Sequence, residues 1–254
     1  MKLKFLGTGT SQGVPVIGSD HPVCLSSNPK DKRLRCSALI TTDFQQKILI
    51  DCGPDFRQQM LQNNENHIDA VLLTHEHNDH IIGLDDLRPI IFKNKKNTPI
   101  YSLERTAEEL KVRFPYAFSE EKYPGAPSFD LHIIEKEFFI ENTLITPINI
   151  THNQLPILGY KIKNLAYITD ASAIPLEEKN KLKNLNFLIV NCLRKESPHP
   201  AHFILPDILN LVEELKPQKT YLTHLSHLIG FHEETEAELP EHISLAYDGL
   251  EIDF

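Results

Sequence analysis

Thr74-His75-Glu76-His77-Asn78-Asp79-His80 is the stretch on which the reading of this chain turns. Before it, Ala70-Val71-Leu72-Leu73 is an apolar run of strand length, bounded by polar residues as a short buried strand would be. After it, Ile81 to Phe92 carries apolar residues at helical spacing and predicts a helix. Three histidines and an aspartate therefore crowd into one strand-to-helix turn. Imidazole is the commonest metal ligand, and imidazole mixed with carboxylate suits zinc or a similar borderline ion. His75 and His77 stand two apart, so an extended chain sends both side chains the same way. Asp79 and His80 are adjacent and point elsewhere, which suggests a second ion beside the first. The bland alternative is a solvated polar loop, and the ordered apolar segments on either side argue against it.

Composition narrows the classes. A chain of 254 residues fits one large domain with ample length for a core, and a single domain over 1–254 is the expectation. No apolar run approaches bilayer length, and the apolar core of Met1 to Gly7 is too short for a signal peptide, so no membrane partner is expected. Cys24, Cys36, Cys52 and Cys192 are too widely spaced for a disulfide framework, which makes a cytoplasmic location the default. The formal net charge of -9 repels polyanions, so no long nucleic acid is expected as partner. A small anionic substrate stays compatible with that charge, because bound cations outweigh it locally. A homodimer is left open.

Strands are predicted over Lys2–Leu6, Cys36–Thr42 and Lys47–Asp51 before the motif. A helix is predicted from Asp55 to Leu61, opened by Pro54. Gly7 to Gly13 is a glycine-rich loop, and Gly18 to Ser27 a turn-rich insertion without periodicity. Beyond the motif, Pro99–Tyr101 is a strand and Glu104–Phe114 a helix. Pro115 to Pro127 is irregular, either a flap over the site or a surface connection. Strands follow at Leu131–Ile134, Leu144–Ile150, Leu158–Ile162, Ala166–Thr169, Phe187–Cys192 and Lys219–Leu222. Helices are read at Pro175–Leu182 and Pro206–Leu215, and His242–Asp253 as mostly strand. Periodicity alone gives α/β or α+β.

His75-Glu76-His77-Asn78-Asp79-His80 has the HxHxDH form of the metallo-β-lactamase-fold hydrolases, and the chain resembles that family over its whole length. The resemblance implies an αββα sandwich, two mixed β-sheets packed face to face with helices outside. It also implies a binuclear metal site. His75, His77 and His152 would hold one ion, and Asp79, His80 and His224 the other, with Asp170 bridging. Zinc or manganese is expected there, with iron as a third option. A shared water, ionised between two ions, is the expected nucleophile. Asp51, at a strand end near the motif in such folds, would orient a ligand.

The segments Gly7 to Pro15, Asp31 to Arg35, Asp51 to Arg57, His199-Pro200-Ala201-His202 and Thr223 to His227 resemble the PhnP-like phosphodiesterase branch. That resemblance implies hydrolysis of a small or cyclic phosphodiester. Asp79 and His202 are the residues it assigns to catalysis, with His202 near the scissile phosphate; His199 is the competing histidine. Thioester or lactone hydrolysis on the same fold is the alternative, and a non-catalytic metal-binding or sensor protein the alternative from another class. The branch often carries a structural zinc in the insertion. Here His21, Cys24 and His227 are its degenerate counterparts, with Ser19 where a cysteine would be.

Overall fold

The structure is a computed structural model and describes all 254 residues. One sheet contains β1 (Lys2–Gly7), β2 (Ser37–Thr41), β3 (Lys47–Ile50), β4 (Ala70–Leu72), β5 (Thr98–Ser102), β6 (Phe129–Ile133) and β14 (Glu251–Asp253), in the order β14-β1-β2-β3-β4-β5-β6. The other contains β7 (Phe138–Ile140), β8 (Thr143–His152), β9 (Leu155–Ile162), β10 (Leu165–Ile168), β11 (Phe187–Asn191), β12 (Lys219–Thr223) and β13 (Ile243–Leu245), in the order β13-β12-β11-β10-β9-β8-β7. Each sheet is antiparallel through its first three pairings and parallel through the rest, counted from β14 in one and β7 in the other. The parallel halves expose strand ends in one direction, and the site forms there.

Strand alternation sorts the core into layers. Ala38 and Ile40 of β2, Ile48 and Ile50 of β3, and Leu165 and Tyr167 of β10 face the gap between the sheets. Leu39, Leu49 and Val71 face outward against Phe56 and Met60 of α2 (Phe56–Gln62), Ile90 and Ile91 of α4 (Arg88–Asn94), and Leu110 of α5 (Glu104–Arg113). On the other side, Ala166, Ile168, Leu188 and Val190 meet α8 (Leu205–Leu215). Helix α8 buries Ile208, Leu211, Val212 and Leu215, a stripe at helical spacing, and each such side chain contributes roughly 1.5–3 kcal/mol of apolar burial. The αββα sandwich is thus the fold. No helix is long and apolar enough to cross a membrane.

Two local expectations are corrected. The helix read over Ile81–Phe92 is broken: α3 (Asn78–Ile81) passes into a 3-10 turn at Ile82–Leu87 before α4 starts. Pro89 is the reason, since a proline inside a continuous α-helix loses a hydrogen bond and strikes the carbonyl four residues back. The span His242–Asp253 is two short strands in different sheets, with Ala246 to Leu250 carrying the chain across the sandwich. The segment Pro115–Pro127, read as either a flap or a connection, packs at its two ends through Ala117, Ala126 and Pro127 and is exposed over 119–125. Phe114 and Ala117 are buried, α6 (Pro115–Phe118) follows α5, and Tyr116 donates to Asp85 at 2.6 Å. Sequence patterning also missed α9 (His232–Glu238), whose surface is mostly acidic.

Candidate metal centre

The motif begins two residues past β4, where the chain leaves the sheet edge. The ligand-type side chains gather in three sets whose donor atoms all lie within 4.8 Å of one another: His75, His77 and His152; Asp79, His80, Asp170 and His224; and His152, Asp170 and His202. The first two sets are those expected from the motif and its resemblance. Asp170 links them through different oxygens. Its Oδ1 lies 3.1 Å from His224 Nε2 and 3.5 Å from His80 Nε2, and its Oδ2 lies 4.0 Å from His75 Nε2.

The hydrogen-bond network fixes which nitrogens face inward. Asp51 accepts from the Thr74 amide at 2.8 Å, from Thr74 Oγ1 at 2.8 Å and from His80 Nδ1 at 2.7 Å. With its proton given to Asp51, Thr74 Oγ1 accepts from His75 Nδ1 at 3.0 Å. His152 Nδ1 donates to the carbonyls of Asp170 and Ala201 at 2.7 and 2.8 Å. Each of these rings therefore turns Nε2 inward, where His75 Nε2 meets His77 Nδ1 at 2.9 Å, which is how outer hydrogen bonds orient metal-binding histidines. Asp51 has the orienting role expected of it, and Thr74 extends that role to a second histidine. Nothing local marks Thr74, or Thr169 donating to Asp170 Oδ1 at 2.6 Å, as different from any strand-end threonine.

Three site residues sit in the left-handed region just past a strand: Asp51 (φ 60), Asp170 (φ 57) and His224 (φ 53). Non-glycine residues seldom adopt it, and such strain gathers at functional sites. The kink turns each side chain across the mouth of the sandwich instead of along the strand.

A fit test for cations comes from the buried atoms. His80 Nε2 and His224 Nε2 have no hydrogen-bond partner, although carboxylate oxygens stand 3.1–3.5 Å away. The contacts lack hydrogen-bond alignment because donors and carboxylates converge on common points rather than on each other. Burial disfavours charge on His224, yet Asp170 and Asp79 raise its pKa to about 10. At His80 burial likewise disfavours the charge, and Asp170, Asp79 and Asp51 overcome it and raise the pKa. Protons thus occupy the place that cations fill when ligands exchange protons for metal. The residues fit divalent cations.

His202 stands between the two ligand sets, its ring centroid 4.7 Å from that of His152 and 4.9 Å from that of His224. His199 lies behind it at 5.0 Å and accepts from the Ala201 amide through Nδ1. His202 is therefore the histidine at the site. Burial first, then the neighbouring His224, lowers its pKa to about 3 against the opposing charge of Asp170.

The degenerate zinc site does not assemble. His21 and His227 meet edge to face at 4.8 Å, but His21 Nδ1 accepts from the Val23 amide as the cap of α1 (Pro22–Leu25). Cys24 Sγ accepts from the Val16 amide at 3.5 Å, and His21, Cys24 and His227 are not among the clusters of three ligand atoms. The insertion is held by packing of Val14, Val23 and Cys24. The glycine-rich loop is no phosphate cradle: the amides of Gly9, Thr10 and Gly13 donate to backbone carbonyls. It secures Leu225, next to His224, through paired bonds with Thr8 and Thr10.

Fold and site together define a candidate metal centre at one edge of an αββα sandwich. Residues 46–225 match the family described as "Beta-lactamase superfamily domain". A crystal structure described as a new diphosphatase from the PhnP family is 40% identical, with a TM-score of 0.93 over 100% of this chain and 96% of that one. Zinc-bound PqqB from Methylobacterium extorquens shares the fold at 17% identity, with a TM-score of 0.82 and both chains fully covered. A Porphyromonas gingivalis protein named octanoyltransferase is 41% identical over 253 residues, 99% of this chain and 51% of that protein. This chain thus spans about half the length of that relative. The chain belongs to the metallo-β-lactamase superfamily, in its PhnP-like branch.

Proposed function

We propose that the protein is a binuclear-metal phosphodiesterase acting on a small or cyclic phosphodiester. The observation that carries this reading is the place of His202, half-buried between the two ligand sets with Nδ1 unpartnered. Two divalent ions, held by His75, His77, His152, Asp79, His80, His224 and Asp170, would supply a neutral-pH nucleophile and positive charge for the attacked phosphoryl oxygens. With its depressed pKa the His202 ring is neutral, so it offers one N–H to a phosphoryl or leaving oxygen. Asp79, with 14% of its side chain exposed against 3% for Asp170, would be the carboxylate that accepts the attacking water's proton. The PhnP-family diphosphatase supports phosphorus as the centre attacked, and the net charge of -9 favours a small anion over a long one.

One observation favours a second reading, an acyl thioester substrate: the relative named octanoyltransferase. That name belongs to a protein of which this chain matches half, so the acyl chemistry is assigned here to neither half. The zinc- or manganese-loaded protein, tested against phosphodiesters, phosphomonoesters, octanoyl thioesters and lactones, separates the readings. Diester turnover is expected, and His202→Ala should lower it roughly a hundredfold with metal content unchanged by elemental analysis. Unchanged diester rates in that variant remove His202 from the mechanism. Thioester cleavage without diester cleavage replaces the reading by the second one.

A further inference from the structure

Beneath the second ligand set, the apolar layer between the sheets holds a knot of polar atoms. Cys36, the residue before β2, is buried, and its Sγ lies 3.2 Å from the Tyr167 hydroxyl of β10 and 3.3 Å from Thr223 Oγ1 at the end of β12. Thr169 Oγ1 stands 3.6 Å from the same sulfur and donates to Asp170 Oδ1 at 2.6 Å. Tyr167, Thr169 and Thr223 are wholly buried. One thiol on the first sheet is thus the meeting point of three hydroxyls carried by the second.

Two of those hydroxyls belong to the residues immediately before ligands. Thr169 precedes Asp170 and Thr223 precedes His224, and both ligands are in the left-handed region (φ 57 and 53). Such a conformation persists only where the surroundings over-determine it. The need is greatest at His224. His75, His80 and His152 are each anchored through Nδ1, but His224 Nδ1 is buried with no hydrogen-bond partner. Its ring is aimed by its backbone, and the Thr223 hydroxyl ties that backbone to Cys36. At Asp170 the link runs through Thr169 to Oδ1, the oxygen 3.1 Å from His224 Nε2 and 3.5 Å from His80 Nε2. The knot does not reach Oδ2, the oxygen toward His75.

We infer that Cys36 is a positioning residue for the second ion, the one assigned to Asp79, His80, Asp170 and His224, and that the first ion does not depend on it. The inference rests on the two-ion reading and adds to it that the two ions have separate supports. Cys36 Sγ is not among the ligand atoms that converge, so it acts through Thr169 and Thr223. Removing the sulfur leaves the Tyr167 and Thr223 hydroxyls buried without a partner, and the segments that carry Asp170 and His224 are then free to shift.

Chelator titration of the zinc-loaded protein, with the retained metal counted by elemental analysis, tests it. Two dissociation constants are expected for the parent, and the one that Asp79→Ala abolishes belongs to the second ion. Cys36→Ala should raise that constant about tenfold, as loss of an outer support of a metal ligand does, and leave the other unchanged. Cys36→Ser keeps a polar atom among the three hydroxyls and should restore most of the affinity. If Cys36→Ala does not fold, Thr169→Val removes the hydroxyl on Asp170 at nearly constant shape and should show the same selective loss. Equal losses at both ions, no loss at either, or a serine variant no better than alanine overturns the positioning role and leaves the two-ion reading standing. A parent protein that retains fewer than two ions overturns the two-ion reading, and the inference with it.

Discussion

His232 shows how much a single buried residue away from the site contributes. Its ring is buried, and Nδ1 lies 3.2 Å from Arg33 Nη2, so the guanidinium donates and the imidazole accepts. A protonated ring would turn a donor toward a cation. Burial, then Arg33 and Lys30, lower the pKa from 6.5 to about 4, while Glu236 and Asp31 oppose. Because the folded pKa is depressed, the unfolded chain binds the extra proton first as pH falls. The stability contributed is complete above pH 6.5 and is lost as pH falls through about 4. Between pH 7 and 5 this group should cost about 2 kcal/mol of stability, at ~1.4 kcal/mol per unit. His232→Gln keeps an acceptor for Arg33 but does not titrate. Denaturant midpoints at the two pH values should therefore fall less for the variant than for the parent. Equal falls in both would show that His232 does not carry this dependence.

Among elements, the contact that matters most for the site is the crossing of Cys52-Gly53 beneath the motif. The Cys52 amide donates to the His80 carbonyl at 2.7 Å, and the Gly83 amide to the Cys52 carbonyl at 2.9 Å. A Cβ on Gly83 would stand 1.9 Å from the Gly53 oxygen, and one on Gly53 would stand 2.0 Å from the Asp79 oxygen. Both glycines are required by backbone approach, since neither has a positive φ. Gly83→Ala should cost about 1–3 kcal/mol by overpacking, and it should weaken metal binding because the displaced backbone carries Asp79 and His80. Thermal unfolding and metal titration of the variant measure the two effects, and parental values in both would refute the crossing as a determinant. From the other side, α5 grips the two non-ligand positions of the motif. Arg105 pairs with Glu76, Thr106 donates to Glu76 at 3.2 Å, and Arg113 bonds to Asn78. The motif loop is thus clamped between β3's continuation and α5.

At the scale of the molecule, the ligands join the two sheets. His75, His77, Asp79 and His80 follow β4 of one sheet, whereas His152, Asp170 and His224 end or follow β8, β10 and β12 of the other. Cations held there act as cross-links that the unfolded chain cannot retain. Metal present at about a hundredfold over its Kd should stabilise the fold by ~2.7 kcal/mol, and chelation should remove that. Unfolding with and without a chelator measures it, with Asp170→Asn as the comparison in which the chelator's effect should shrink. A chelator without effect on the parent protein would contradict a site spanning both sheets.

The residues of the motif, the strand alternation and the apolar face of α8 were legible in the chain, because each reports geometry within a few neighbouring residues. His75 with His77, or Ile208 with Leu211 and Leu215, meet at spacings that a strand or helix imposes. His152, Asp170, His202 and His224 were assigned by resemblance, since nothing in their spacing states which strand ends lie side by side. Only the tertiary structure decided the rest. It placed His202 and not His199 between the ligand sets, and it set Thr74 between Asp51 and His75. It turned Cys24 toward Val16 instead of toward His227, and it divided His242–Asp253 between two sheets. The physical reason is common to all four. Each depends on the order and register of strands distant in sequence, and those follow from burying both faces of two sheets at once rather than from any local pattern.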